Sequence, residues 1–318
     1  MRVALVCPAP PGSRSGNRIT ALRWRRMLRE LGHEADLVTE LGRRGYDVLV
    51  ALHALRSAEA VRLSRERHPA RPVIVALTGT DLYRDIHHDE AARRSLELAD
   101  RLIVLHPGAA AELRPGLRSK VRVVPQSAEP PAQAPRRSSR RFDVAVIGHL
   151  RPVKDPFRTA MAARLLPAES RVRVIHAGSA LSEAMRVTAE TEQRTNPRYS
   201  WLGELPRWKA RALIAKCHLL ALTSETEGGA NVLSEAIAAG TPIVASRIAC
   251  TVAILGEDYP GLFPLASTRA LARLLRRAEQ DPGFLRELAR RCRARRRMLS
   301  PQREIAAWKS VLHELSRS

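Results

Sequence analysis

SETEGGANVLSEA, residues 224–236, lies between an apolar run, HLLALT (His218 to Thr223), and the helix-stopping pair Gly240 and Pro242. The run reads as a strand, the Gly-Gly segment as a loop, and the remainder as a short helix. The bare N–H groups of a helix start attract phosphate. A carboxylate does not belong beside phosphate, so Glu227 and Glu235, eight residues apart, need another partner. Sugar hydroxyls suit them, since a carboxylate accepts two hydroxyl protons well. Asn231 reads as the N-cap, which places Ser234 where a capping box wants its Glu and leaves Glu235 one place late. Stabilisation by the helix dipole is the alternative for Glu235, and an exposed loop carboxylate for Glu227.

Working outward, PIVAS (Pro242 to Ser246) is the next strand. Upstream, strand and helix alternate from FDVAVIGH through a helix near residues 156–165, VRVIHAG and RYSWLG. A second alternation fills the N-terminal half: RVALVC, an amphipathic helix at residues 19–31 with Trp24, Met27, Leu28 and Leu31 inward, then HEADLVT, YDVLVALH, RPVIVALTG, RLIVLH and VRVVPQ. Several of these strands are continuous apolar runs, as in parallel sheets covered on both faces. The pattern breaks at AEPPAQAPRRSSRR (residues 128–141), which has Pro, Ala and Arg without periodicity. An α/β chain of two Rossmann-like halves follows. They span residues 1–130 and 142–300, with a linker at 131–141 and a closing helix at 301–318 that starts at Pro301 and packs back toward the first half.

The chain has 318 residues and is 45% hydrophobic, enough for two cores. No apolar run reaches the roughly 18 residues of a membrane helix. MRVALVCPAPPG reads as a first strand, not a signal peptide. Cys7, Cys217, Cys250 and Cys292 lack metal-ligand spacing, and the simple reading is a cytoplasmic protein with reduced thiols. The formal net charge is +22, mostly Arg. Solvated helix faces rich in Arg explain part of it, and anionic small molecules come next. Nucleic acid comes third, because aromatic content is 4% and no RNP-type, zinc-finger or basic-zipper pattern is present.

Ligands of such sheets sit at the carboxyl ends of the strands. Three loops there join the Glu turn. GHLRPVKDP (residues 148–156) supplies Arg151 and Lys154, and PPGSRSGNRIT (residues 10–20) supplies Gly12, Arg14, Gly16, Asn17, Arg18 and Thr20. The third set is His53 with Arg56, TGTD (residues 78–81, with Thr80 and Asp81) and His106. Each of these is equally readable as a buried polar residue or a cap; Asp81 fits a cap of the turn that follows. HAGS and WLGE end two further strands, and Trp201 reads as core rather than a stacking platform.

EGGANVLSEAIAAGTPIVAS resembles the nucleotide-sugar motif of retaining GT-B glycosyltransferases, the clan of glycogen synthase. The resemblance implies a GT-B fold, with Glu235 on the ribose, Glu227 on the transferred sugar, and Gly228, Gly229, Ala230, Asn231 and Val232 offering backbone N–H groups to sugar and diphosphate. It implies Arg151 and Lys154 as the cations that neutralise the departing diphosphate. Gly148 and His149 stand where the clan has Gly-Arg, and a uracil would meet the backbone of Leu202. No Asp-x-Asp motif occurs, so no metal and no cofactor are expected.

Over nearly its whole length the chain is similar to the selenosugar synthases of selenoneine biosynthesis. SGNRITALRWRRMLRELGHE, ALTGTDLYRDI, GHLRPVKDPFR, YSWLGELPRW, SETEGGANVLSEAIAAGTPIVASRI and GEDYPGLFP carry the likeness. It implies transfer of a sugar from a UDP-sugar, typically UDP-N-acetylglucosamine, to selenophosphate. Gly12, Arg14, Gly16, Asn17, Arg18, Thr20, His53, Arg56, Thr80 and Asp81 would then form the acceptor side. The partners expected are these two small molecules, with neither nucleic acid nor a membrane segment. An O-glycosyltransferase acting on a sugar or lipid, a sugar-nucleotide epimerase or hydrolase, and a basic nucleic-acid-binding protein are the competing functions.

Overall fold

The computed structural model describes residues 1–42, 44–131 and 136–316. The middle of the expected linker, residues 132–135, lies outside the described residues. Two compact units result. The first comprises Met1–Ser127, Glu227–Ala230 and Pro301–Ser318, the second Ala128–Thr226 and Asn231–Ser300. The Gly-Gly loop therefore groups with the first unit although its flanking strand and helix belong to the second.

Among the described residues each unit holds one six-stranded parallel sheet. In the first, β1 (Arg2–Val6), β2 (Glu34–Val38), β3 (Val48–Leu52), β4 (Val73–Ala76), β5 (Arg101–Val104) and β6 (Val121–Val123) lie in the order β2-β1-β3-β4-β5-β6. Alternate side chains of one strand enter opposite cores. Leu49 and Ala51 of β3 join one cluster with Val73, Val75 and Val104; Val48, Val50 and Leu52 join the other with Ile74, Trp24 and Trp308. Two apolar faces explain why these strands read as unbroken apolar runs.

In the second unit, β7 (Phe142–Ile147), β8 (Val172–Ala177), β9 (Tyr199–Trp201), β10 (Leu219–Leu222), β11 (Ile243–Ser246) and β12 (Leu262–Phe263) take the order β12-β11-β10-β7-β8-β9. Counted from β7 this is the 3-2-1-4-5-6 order of dinucleotide-binding sheets, and the order reverses between β7 and β10. In the first sheet it reverses between β1 and β3. Loops after these four strands flank the two crevices where open α/β sheets take ligands. They are the loops holding Gly12 and Arg14, His53, Gly148 and Lys154, and the Gly-Gly turn.

Two helix starts differ from the sequence reading. The first helix is Gly16–Glu30, three residues earlier, because the Ser15 side chain accepts from the Arg18 N–H at 3.4 Å and caps it. Gly16, Asn17 and Arg18 thus belong to the helix, with Thr20, rather than to a loop. The helix after β10 is Asn231–Ala239, so Asn231 is its first residue rather than its cap, and Glu235 its fifth.

The helix Pro301–Leu315 lies in the first unit. Trp308 meets Trp24 edge-on at 4.9 Å between ring centroids. Glu304, fully buried, accepts from Arg23 Nε at 3.0 Å, Trp24 Nε1 at 2.8 Å and the Ser127 N–H at 2.8 Å. A carboxylate is tolerated so deep only with donors of this kind around it. Among the described residues no helix is long and apolar enough to cross a membrane.

Candidate active site

The second unit builds its site around the β7–β10 switch. Gly148 follows β7, and its N–H donates to the Ala177 carbonyl at 2.9 Å. The backbone after β8 comes so close that a Cβ on Gly178 would lie 1.8 Å from the Gly148 oxygen. Gly148 itself has nothing within 4 Å of where its Cβ would stand, so one glycine serves packing and the other faces open space. His176, wholly buried, braces the pair: its Nε2 lies 3.2 Å from the Gly148 oxygen and its Nδ1 2.9 Å from the Tyr199 hydroxyl. Burial lowers the His176 pKa to about 4, so the ring is neutral; Nε2–H donates to the carbonyl while Nδ1 accepts from Tyr199. His149 receives the Ser179 N–H on Nδ1 at 3.2 Å, with the Ser179 hydroxyl at 2.7 Å, which leaves Nε2 to carry its ring proton.

Arg151 and Lys154 bracket a single tight turn: Arg151 precedes Pro152–Lys154, and Asp155 follows it in the left-handed region at φ 41°. The turn is tied to the end of β10. Thr223 Oγ1 donates to the carbonyls of Lys154 and Asp155 at 3.1 and 2.9 Å, and the Glu225 N–H donates to Val153 at 2.9 Å. The two loops that flank the switch are therefore one braced unit. Glu235, on the helix after β10, keeps a side chain 9% exposed and accepts from Arg207 Nε at 3.2 Å. Arg207 lies within the stretch YSWLGELPRW but is not singled out by the sequence as a site residue: it opens the helix Arg207–Lys216, with no local pattern to connect it with Glu235.

The loop Glu227–Ala230 explains its glycines by close packing. A Cβ on Gly228 would lie 2.2 Å from the Thr78 carbonyl oxygen, and one on Gly229 2.7 Å from Leu105 Cβ. Glu227 is buried, and Ala230 takes a left-handed φ of 46°. His53, Asp155 and Ala230 are three of the four non-glycine residues with positive φ among the described residues. His53 directly follows β3, and Asp155 and Ala230 lie in the loops that follow β7 and β10; strained backbone of this kind clusters at functional sites.

In the first unit the expected acceptor residues divide. Arg14, Gly16 and Arg56 are exposed, Asn17, Arg18 and Thr80 half-buried, and Gly12 takes a φ of 83°. Three others are committed inward. Thr20 is buried and accepts from Gln126 Nε2 at 2.8 Å. Asp81 is buried and accepts from the N–H groups of Thr78, Gly79 and Ala54 at 3.0, 2.7 and 3.0 Å, folding the TGTD loop onto the end of β3. His53, at φ 77°, accepts the Arg56 N–H on Nδ1 at 3.3 Å and places Nε2 3.2 Å from Thr80 Oγ1 and 3.7 Å from Asp85. Burial lowers its pKa, against the opposing pull of Asp81. These three shape the loops at the carboxyl ends of β1, β3 and β4.

The base-site expectations also change. Leu202 is half-exposed, but its N–H already donates to the His176 carbonyl at 2.8 Å, leaving its own carbonyl as the group a base could address. Trp201 is only partly buried; its indole N–H donates to the Gly178 carbonyl at 2.8 Å.

Residues 131–298, more than half of the chain, match the family model for glycosyl transferases group 1. The chain belongs to that family. Its fold is shared with solved structures of low identity. Sucrose-phosphate synthase from Thermosynechococcus elongatus is 17% identical, with 99% of each chain covered and a TM-score of 0.78. HepE from Anabaena, solved with UDP-glucose, is 16% identical over 100% of both chains at a TM-score of 0.76. Trehalose 6-phosphate synthase from Burkholderia multivorans is 15% identical over 95% of this chain and 75% of that one, at 0.71. A comparison with curated proteins gives no match. The α/β, GT-B expectation for the fold is met, and the chain is a group 1 glycosyltransferase by family.

Proposed function

We propose that this glycosyltransferase uses a UDP-sugar, with UDP-N-acetylglucosamine as the first candidate, and transfers the sugar to selenophosphate. The observation that carries the donor half is the braced pair of loops at the β7–β10 switch, which holds Gly148, Arg151 and Lys154 on one side and the Asn231–Ala239 helix with Glu235 on the other. A UDP-glucose complex of HepE, a protein of the same fold, supports the choice of nucleotide.

The roles follow from charge. Glu235 accepts the ribose hydroxyls. Lys154 and Arg151 meet the diphosphate, where a guanidinium can bind two phosphate oxygens at once. Backbone N–H groups of residues 228–232 complete the donor grip, with Glu227 on the transferred sugar. Stabilising the UDP leaving group is then work for fixed cations and dipoles.

For the acceptor, the support is the N-terminal loop and the whole-length resemblance to selenosugar synthases. Arg14, Arg18 and Arg56 supply cations for a small polyanion. Selenium attacks the anomeric carbon, a C–Se bond forms, and the C–O bond to UDP breaks with its electron pair leaving on the diphosphate. Water then cleaves the Se–P bond, releasing phosphate and the selenosugar. A selenium nucleophile is already charged, so no base has to remove a proton; the task is to position two anions. The test is UDP release from UDP-N-acetylglucosamine with selenophosphate, inorganic phosphate and simple alcohols in parallel. Release with selenophosphate alone supports the reading. Release with an alcohol and none with selenophosphate replaces it with an O-glycosyltransferase.

A further inference from the structure

Glu235 is the fifth residue of its helix, beyond the first turn where the helix dipole acts, so the dipole does not hold it. The partner the structure gives it is Arg207, the first residue of a neighbouring helix, Arg207–Lys216, which packs against Glu235's own. The guanidinium Nε meets Oε1 at 3.2 Å, from a side chain 40% exposed onto one only 9% exposed. Such a bond restricts the rotamer of the carboxylate. It occupies one lone pair of one oxygen and leaves Oε2 and the remaining pair of Oε1 to accept from a vicinal diol.

We infer that Arg207 is a positioning residue for the nucleotide: it holds the Glu235 carboxylate ready for the two ribose hydroxyls without itself touching the ligand. This rests on the donor reading above. A double-mutant cycle separates the two. The Kd for UDP is measured by calorimetry on the wild-type chain, Arg207→Ala, Glu235→Gln and the double variant, each checked for a native melting transition. It is measured again for 2′,3′-dideoxy-UDP, which lacks the diol. Arg207→Ala is expected to raise the UDP Kd roughly 3- to 10-fold, the size expected for a charged hydrogen bond that is partly exposed. Arg207→Lys should recover part of the loss. The effect should vanish in the Glu235→Gln background and against dideoxy-UDP.

An unchanged Kd in Arg207→Ala overturns the positioning role. So does a loss that persists undiminished beside Glu235→Gln, since Arg207 would then contact the nucleotide directly. If Glu235→Gln binds UDP and dideoxy-UDP as the wild type does, the donor reading itself falls, and the positioning role with it.

Discussion

Changing Gly178 to Ala while leaving Gly148 alone, and then the reverse, separates packing from ligand approach. The added methyl of Gly178→Ala would stand 1.8 Å from the Gly148 oxygen, 2.4 Å from its carbonyl carbon and 2.8 Å from the His149 nitrogen. Relieving the overlap requires the backbone to move by roughly 1.5 Å, and both strands resist. Gly178 is held by the Gly203 carbonyl at 2.8 Å, and Gly148 by that of Ala177 at 2.9 Å. Overpacking costs about 1–3 kcal/mol and a strained hydrogen bond about 1 more, while restricting the unfolded chain returns about 0.4–1 kcal/mol. A net loss of roughly 1–3.5 kcal/mol follows, read as a lower urea midpoint at unchanged slope. Gly148→Ala meets nothing within 4 Å, so its stability should stay within about 0.5 kcal/mol of wild type. Its methyl would enter the space assigned to the donor diphosphate, so its Kd for UDP should rise at least roughly tenfold, the effect of losing about 1.4 kcal/mol of binding. A wild-type midpoint for Gly178→Ala would refute the packing argument. Wild-type stability together with wild-type UDP affinity for Gly148→Ala would remove the diphosphate from that loop.

Burial lowers the pKa of His106 and His176 to about 4, one in each unit. A histidine lowered in the folded state supports folding fully above its unfolded pKa of about 6.5, and that support is lost as pH falls from there toward 4. At pH 5 each should have lost roughly 2 kcal/mol, so melting temperature should fall steeply between pH 6.5 and 4; a flat profile would contradict the neutral rings. Glu304→Ala strips the buried Arg23 and Trp24 of their carboxylate and should destabilise the first unit by about 3–5 kcal/mol, measured by urea unfolding. Arg14→Ala, Arg18→Ala and Arg56→Ala should each raise the KM for selenophosphate several-fold and leave the UDP Kd unchanged; if none of the three alters selenophosphate turnover, the acceptor assignment is wrong.

The sheets were legible because both faces of each are buried. Runs such as HLLALT and YDVLVALH carry that burial directly in composition, and Gly-Gly followed by Asn231 announced a turn into a helix. Helix starts were harder to place, since Ser15 capping depends on a single side-chain bond that a pattern of apolar residues does not register. Within the site, residues that share a loop were found together, as Arg151 and Lys154 were. Arg207 and Glu235 stand 28 residues apart on different helices, and nothing in their local spacing links them. Exposure was the other blind spot. Thr20, His53 and Asp81 look like polar residues facing a ligand, yet each turns its polar atoms onto the backbone or a buried neighbour. The glycines at 228 and 229 read as a phosphate cradle, while their immediate constraint is the close approach of Thr78 and Leu105.

The central claim is the transfer of a sugar from UDP to selenium, and the product itself tests it most directly. Purified protein with UDP-N-acetylglucosamine and selenophosphate generated in place should yield, by mass spectrometry, a selenium-containing N-acetylhexosamine with the selenium isotope pattern, in step with UDP release. Unchanged UDP-N-acetylglucosamine, or UDP formed with only the oxygen-linked or hydrolysed sugar beside it, would contradict the account.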